Sequence, residues 1–291
     1  RIPRLVALLL TLAATAAVIF SFGWLITWGL GAVGRWLIAN IGRFYAIYEL
    51  TAEWLDGHGI FLSNQIGERF NVLALVRMFQ DIALRINGLV GFSVMVLIFT
   101  MLGLLEVSDF KRKLQTLRHG LSGERLLEMT TSIARKFRKY ALVRTGASIL
   151  TGVVIWGFTL ALNIELAAAW GVIAFALNYI PVIGPLIATV LPTLFTAAQF
   201  ESWQMAVIVF LGLNVIQFVI GSYLEPRFSG SALAISPFVV VLAVFFWSFL
   251  WGIPGAFIGV PVTIAMLGAC EANPASRWIA TLLSGPSRDK I

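Results

Sequence analysis

Two glutamates stand where uncharged stretches end. Glu165 closes the run that begins at Thr145, and Glu225 parts residues 202–224 from residues 228–270. A carboxylate in such a place either marks a membrane edge or takes up a proton or cation. Unpaired at membrane depth it would cost a few kcal/mol or stay protonated. Arg227, two residues beyond Glu225, offers local neutrality. Two groups of Pro and Gly lie in the same uncharged stretches. One is Pro181, Gly184 and Pro185, preceded by Asn178; the other is Gly252, Pro254 and Gly255. Backbone broken at membrane depth leaves N–H and C=O groups unpaired, which is tolerated only inside protein or along a cavity. An amide such as Asn178, Gln199, Asn214 or Gln217 needs a partner there. Gluing helices together is its commoner role, and bonding a solute the sharper one.

Other chemistry lacks support. Gly120-Leu121-Ser122-Gly123 has the pattern of an intramembrane serine protease, but it lies in a charged segment and no span holds a histidine. There is no HExxH and no Walker A sequence. The single Cys270 makes neither an intrachain disulfide nor a thiolate metal site. His58 and His119 lie apart on polar segments. We expect no catalytic residues, no metal and no cofactor, and therefore no enzyme.

The elements that carry these residues follow from composition. Of 291 residues, 59% are hydrophobic and 12% charged, half the charge of a typical soluble domain. Mean hydropathy is +0.91. These values exclude a soluble globular enzyme and a disordered chain. The apolar runs suit helices rather than barrel strands. The expected order is a span at 1–34, external amphipathic helices at 35–85, a span at 86–106, basic cytoplasmic helices at 107–144, a span and first hairpin at 145–200, a span and second hairpin at 201–270, and a cytoplasmic tail at 271–291. Residues 107–144 hold ten Lys/Arg against three Asp/Glu, which is the whole net charge of +7. Between two spans this bias indicates the cytoplasmic side and contact with anionic lipid rather than with nucleic acid.

The hairpins are read from length. Residues 166–180 and 186–200 would each reach about 22 Å as helix, short of a hydrocarbon core of about 30 Å. Residues 238–253, before Pro254, give a similar figure. Each hairpin follows a span, and the two spans run in opposite directions. The expected fold is all-α: a polytopic membrane helical bundle with two re-entrant helical hairpins in inverted repeats. In transporters such repeats put the solute where broken helices meet.

The segment Asn178-Tyr179-Ile180-Pro181-Val182-Ile183-Gly184-Pro185 resembles the Pro-x-x-Gly-Pro signature of the autoinducer-2 exporter (AI-2E) family of bacterial permeases. Gly221-Ser222-Tyr223-Leu224-Glu225-Pro226-Arg227 is similar to that family's second signature, with Ser222 where Asn is more usual. Leu233-Ala234-Ile235-Ser236-Pro237 and Trp251-Gly252-Ile253-Pro254-Gly255-Ala256 continue the likeness in order. The resemblance implies a multi-pass transporter of the bacterial inner (cytoplasmic) membrane. It implies export of a small polar solute, autoinducer-2 in some members, or exchange of sodium or lithium for protons in others. It also implies a homo-oligomer, with a pentamer as one form, and two further spans before Arg1. A non-transporting oligomeric scaffold is the rival from another class. On this reading the substrate path is Asn178, Pro181, Gly184, Pro185, Glu225, Pro226, Arg227, Gly252, Pro254 and Gly255, with Glu165 and Glu225 as the proton or cation groups.

Overall fold

The computed structural model describes residues 3–58, 94–107, 109–110, 112–113, 121–229 and 235–285. The amphipathic stretch at 72–86, the first part of the 86–106 span and the Gly120 end of the GxSG pattern lie outside them. The described residues are helical, with one isolated bridge between Ile235 and Ser284 and no strand. In chain order the helices are α1 (Arg4–Ala39), α2 (Ile41–Gly57) and α3 (Val94–Val107). Then come α4 (Leu121–Ala161), α5 (Ala167–Leu177), α6 (Ile183–Phe200) and α7 (Trp203–Gln217). A π-helical stretch, Phe218–Leu224, leads into α8 (Glu225–Ser229). The chain ends with α9 (Pro237–Trp251), α10 (Ile253–Ala272) and α11 (Arg277–Leu283).

Among the described residues, five helical segments are long and apolar enough to cross a membrane: Val6–Ala39, Glu128–Ala161, Ile183–Phe200, Trp203–Phe228 and Ile253–Ala272. α4 carries a difference from the sequence reading. The basic helix expected before Arg144 and the span expected after it are one helix of 41 residues. No proline interrupts that stretch, and an isolated glycine such as Gly146 weakens a helix without ending it.

The hairpins also differ from expectation. In both, the first limb is short: α5 has 11 residues and α9 has 15, about 16 and 22 Å at the α-helical rise. The second limb of the first hairpin is longer than the 186–200 read from sequence, with 18 residues in α6, and that of the second has 20 in α10. The reason is the place of the prolines. Pro185 and Pro254 fall in the first turn of α6 and α10, where a missing N–H costs nothing and the fixed φ suits the helix. They begin the second limbs instead of occupying the bends.

The chain forms two compact units. The first comprises residues 1–101, 151–176 and 186–216. Its core gathers Trp36, Trp170 and Phe195, with ring centroids 4.0 Å apart for Trp36–Phe195 and 5.1 Å for Trp170–Phe195. Small residues let its helices meet closely. A Cβ on Gly152 would lie 2.9 Å from the Gly171 carbonyl oxygen. The second unit comprises residues 102–150, 177–185 and 217–291. Its core is Val244, Val260 and Ile264, and Tyr140, Ile180, Ile183, Ile235 and Val240 pack against it. The tip of the first hairpin thus rests on the second hairpin.

Candidate functional site

Every expected substrate-path residue belongs to the second unit. The tip of the first hairpin is made by an unusual backbone. Ile180 N–H donates to the Leu177 carbonyl at 2.8 Å, and Gly184 N–H to the Ile180 carbonyl at 3.0 Å. Between them Val182 takes φ +66°, a conformation that a β-branched residue adopts only under strain. Gly184 closes the bend, because a Cβ there would lie 1.8 Å from the Leu177 carbonyl oxygen. Only glycine allows that approach.

The second hairpin closes in the same manner through a simpler joint. Gly252 alone separates α9 from α10, at φ 64° and ψ −140°, a region open to glycine. A Cβ on Gly255 would lie 1.8 Å from the Trp247 carbonyl oxygen. Gly255 is buried, Pro254 half-buried and Gly252 exposed.

α4 gathers the polar groups. Arg144, Thr145 and Ser148 occupy about one turn of it. Ser148 is fully buried, and its hydroxyl oxygen accepts from the Asn178 amide at 3.1 Å. The Tyr179 hydroxyl donates to Thr145 Oγ1 at 3.0 Å. Arg144 is 6% exposed, and its Nη1 donates to Glu225 Oε1 at 2.6 Å. One helical turn therefore holds both the tip of the first hairpin and the glutamate of α8.

The expected Glu225–Arg227 pair does not form. Residues two apart on a helix point to different sides. Arg227 is exposed; it donates to the Tyr223 hydroxyl at 3.1 Å and lies over that ring at 5.9 Å. The partner of Glu225 is Arg144, eighty-one positions earlier. Arg144 is the last charge before an uncharged run, which was the available signal; sequence reasoning read it as the end of a basic cytoplasmic helix. Thr145, Ser148, Tyr179 and Tyr140 were passed over because hydroxyls at the edge of an apolar helix carry no spacing motif.

The Arg144 charge is only partly served. Its Nε and Nη2 are buried and meet no hydrogen-bond partner among the described residues. A buried donor of this kind costs about 1–3 kcal/mol, more when charged. Glu225 itself follows the π-helical stretch, and its N–H reaches back five residues to the Ile220 carbonyl. Such widened turns recur at functional sites.

Glu165 lies in the first unit. Its carboxylate accepts from the Trp36 indole at 2.5 Å. Its N–H donates to Gln199 Oε1 at 2.9 Å, and the Gln199 amide donates to the Asn163 carbonyl at 3.0 Å. Arg43 donates to the Gln199 carbonyl at 3.1 Å. Gln199 thereby ties the α4–α5 loop to the end of α6.

A chain of apolar helices with spans of this length, closed by two glycine-sealed hairpins, is a polytopic membrane protein. It belongs to the AI-2E family: residues 1–274 match the family described as AI-2E family transporter. The chain is similar to AI-2 transport protein TqsA of Escherichia coli (strain K12), at 31% identity over 78% of this chain and 65% of that one. It also resembles two proteins carrying the name "Putative transport protein". That of Borreliella burgdorferi is 33% identical over 61% of this chain and 50% of its own. That of Haemophilus influenzae is 29% identical over 75% and 63%. The chain thus spans between half and two thirds of the length of these relatives.

Proposed function

We propose that this chain works as a secondary transporter that exports a small polar solute, an autoinducer-2-like signal or a related metabolite, across a bacterial inner membrane. The observation that carries the reading is the polar cluster of Arg144, Thr145, Ser148, Asn178, Tyr179 and Glu225, buried or half-buried on the strained tip of a hairpin whose first limb is too short to cross. Ionisable groups at membrane depth are rare and mark solute or ion pathways. Family membership and the name of the Escherichia coli relative support the same direction. The two short first limbs support re-entrant hairpins that rock around this cluster. The chain works as a homo-oligomer, and the basic residues of 107–144 face anionic lipid. Efflux of autoinducer-2 from proteoliposomes is the test. Flux that falls at least about tenfold in Asn178→Leu, with the oligomer still assembled, is the expected result; no flux of any polar solute through an intact wild-type oligomer would leave a scaffold.

A further inference from the structure

The short helix α11 joins the two open ends of the second hairpin. Ser276, just before it, donates its hydroxyl to the Cys270 carbonyl at 3.1 Å, and Arg277 Nε donates to the Glu271 carbonyl at 3.2 Å. Both carbonyls belong to the last turn of α10, where no intrahelical donor remains. At the far end of α11 the Leu283 carbonyl accepts from the Ser236 N–H at 3.2 Å, and Ser284 forms the antiparallel bridge with Ile235. Ser236 stands immediately before α9. A helix of 7 residues thus staples the start of the first limb to the end of the second.

Charge puts this staple beside a membrane surface. Residues 228–270 are uncharged, and charge returns at Glu271, whose carboxylate pairs with Lys136 of α4. α11 follows directly after the Asn273-Pro274 turn. It has three sides, because at about 3.6 residues per turn positions four apart share a face. Ile279 and Leu283 are half-buried, and α11 packs on α10. Arg277 and Thr281 form a polar, exposed side. Trp278 and Leu282 form an apolar one, 64% and 72% exposed. Apolar and polar sides that both face outward are the division of a helix lying in the interface plane, and Trp favours the headgroup level. A second copy of the chain is a poorer occupant of the apolar side. Two side chains offer about 300 Å², well short of the roughly 800 Å² per partner of a stable protein interface.

We propose that Trp278 and Leu282 seat α11 in the headgroup layer of the bilayer, and that this contact keeps the open end of the second hairpin closed. The partner is the lipid surface, met by apolar insertion rather than by charge. The inference goes beyond the transport reading and does not depend on it.

The test uses the full chain in phosphatidylcholine vesicles, which carry no net charge. On a Cys270→Ser background, nitroxide labels are attached one at a time through Arg277→Cys, Trp278→Cys, Thr281→Cys and Leu282→Cys. Power saturation is read with oxygen, which gathers in lipid, and with a nickel chelate, which stays in water. The oxygen-to-nickel ratio should be about fivefold higher at 278 and 282 than at 277 and 281. An equal ratio at all four positions overturns the proposal. Shielding of 278 and 282 from both reagents also overturns it, because a neighbouring subunit then covers them. The hold on the hairpin is read by hydrogen exchange of the Ser236 amide. Trp278→Ala combined with Leu282→Ala leaves the backbone bonds of the staple in place, and exchange should quicken about tenfold. Thr281→Ala, on the polar side, should change it less than about twofold. An unchanged rate in the double variant, or an equal rise in Thr281→Ala, overturns the proposal.

Discussion

The two hairpins solve one problem with different materials. Each folds a short helix back onto a longer one, and each does so by placing a glycine against a carbonyl oxygen of the first limb, Gly184 on Leu177 and Gly255 on Trp247. Their joints diverge. The second hairpin turns at Gly252, whose conformation suits its residue type. The first turns through several residues, forces Val182 to a positive φ, and sends Asn178 and Tyr179 to α4. One bend is relaxed and apolar, the other strained and polar. Strain persists only where surroundings enforce it, so the comparison separates a hairpin closed by glycine alone from one that polar side chains tie to α4.

The largest effects should come from the groups both arrangements depend on. Glu225→Ala strips a buried guanidinium of its one partner among the described residues and should destabilise the protein by about 3 kcal/mol. A thermal melt in detergent reads this, and Arg227→Ala, whose side chain is exposed, should move the melt by no more than about 0.5 kcal/mol. Next come the closures. Gly184→Ala and Gly255→Ala each drive a Cβ into backbone that cannot yield and should cost about 2–3 kcal/mol alike. A large difference between them would break the parallel between the hairpins. Asn178→Ala leaves the Ser148 hydroxyl without its donor and should cost about 1–2 kcal/mol. The smallest effect sharpens the contrast by its sign. Val182→Gly should stabilise by about 1 kcal/mol, whereas Gly252→Ala should destabilise by a similar amount. Chemical denaturation of the purified variants distinguishes the two directions.

Much of this architecture was legible in residue types. Pro181, Gly184, Pro185, Pro254 and Gly255 announced bends because proline and glycine act locally, through one φ or one missing Cβ. Where the second limbs begin was less legible, since proline both ends a helix and starts one; Pro185 and Pro254 turned out to start them. The partner of Glu225 was beyond local reading. Proximity along the chain favoured Arg227, and helix geometry turned that side chain away toward Tyr223. The Arg144–Glu225 pair exists because α4 runs unbroken through the point where charge stops and carries Arg144 to the hairpin tip. No pattern of apolar residues could reveal that. The same holds for Glu165, whose bonds to Trp36 and Gln199 bring together helices far apart in sequence.

The π-helical turns at 218–224 have a consequence for Glu225. A helix bonded five residues back holds surplus chain that an α-helix would not. Were those turns to tighten to ordinary α geometry, everything after them would swivel by about 100° for each residue taken up. The Glu225 carboxylate would sweep off the Arg144 guanidinium without any joint having to hinge, so a small rewinding of backbone could uncouple the two charges as a ratchet releases its pawl.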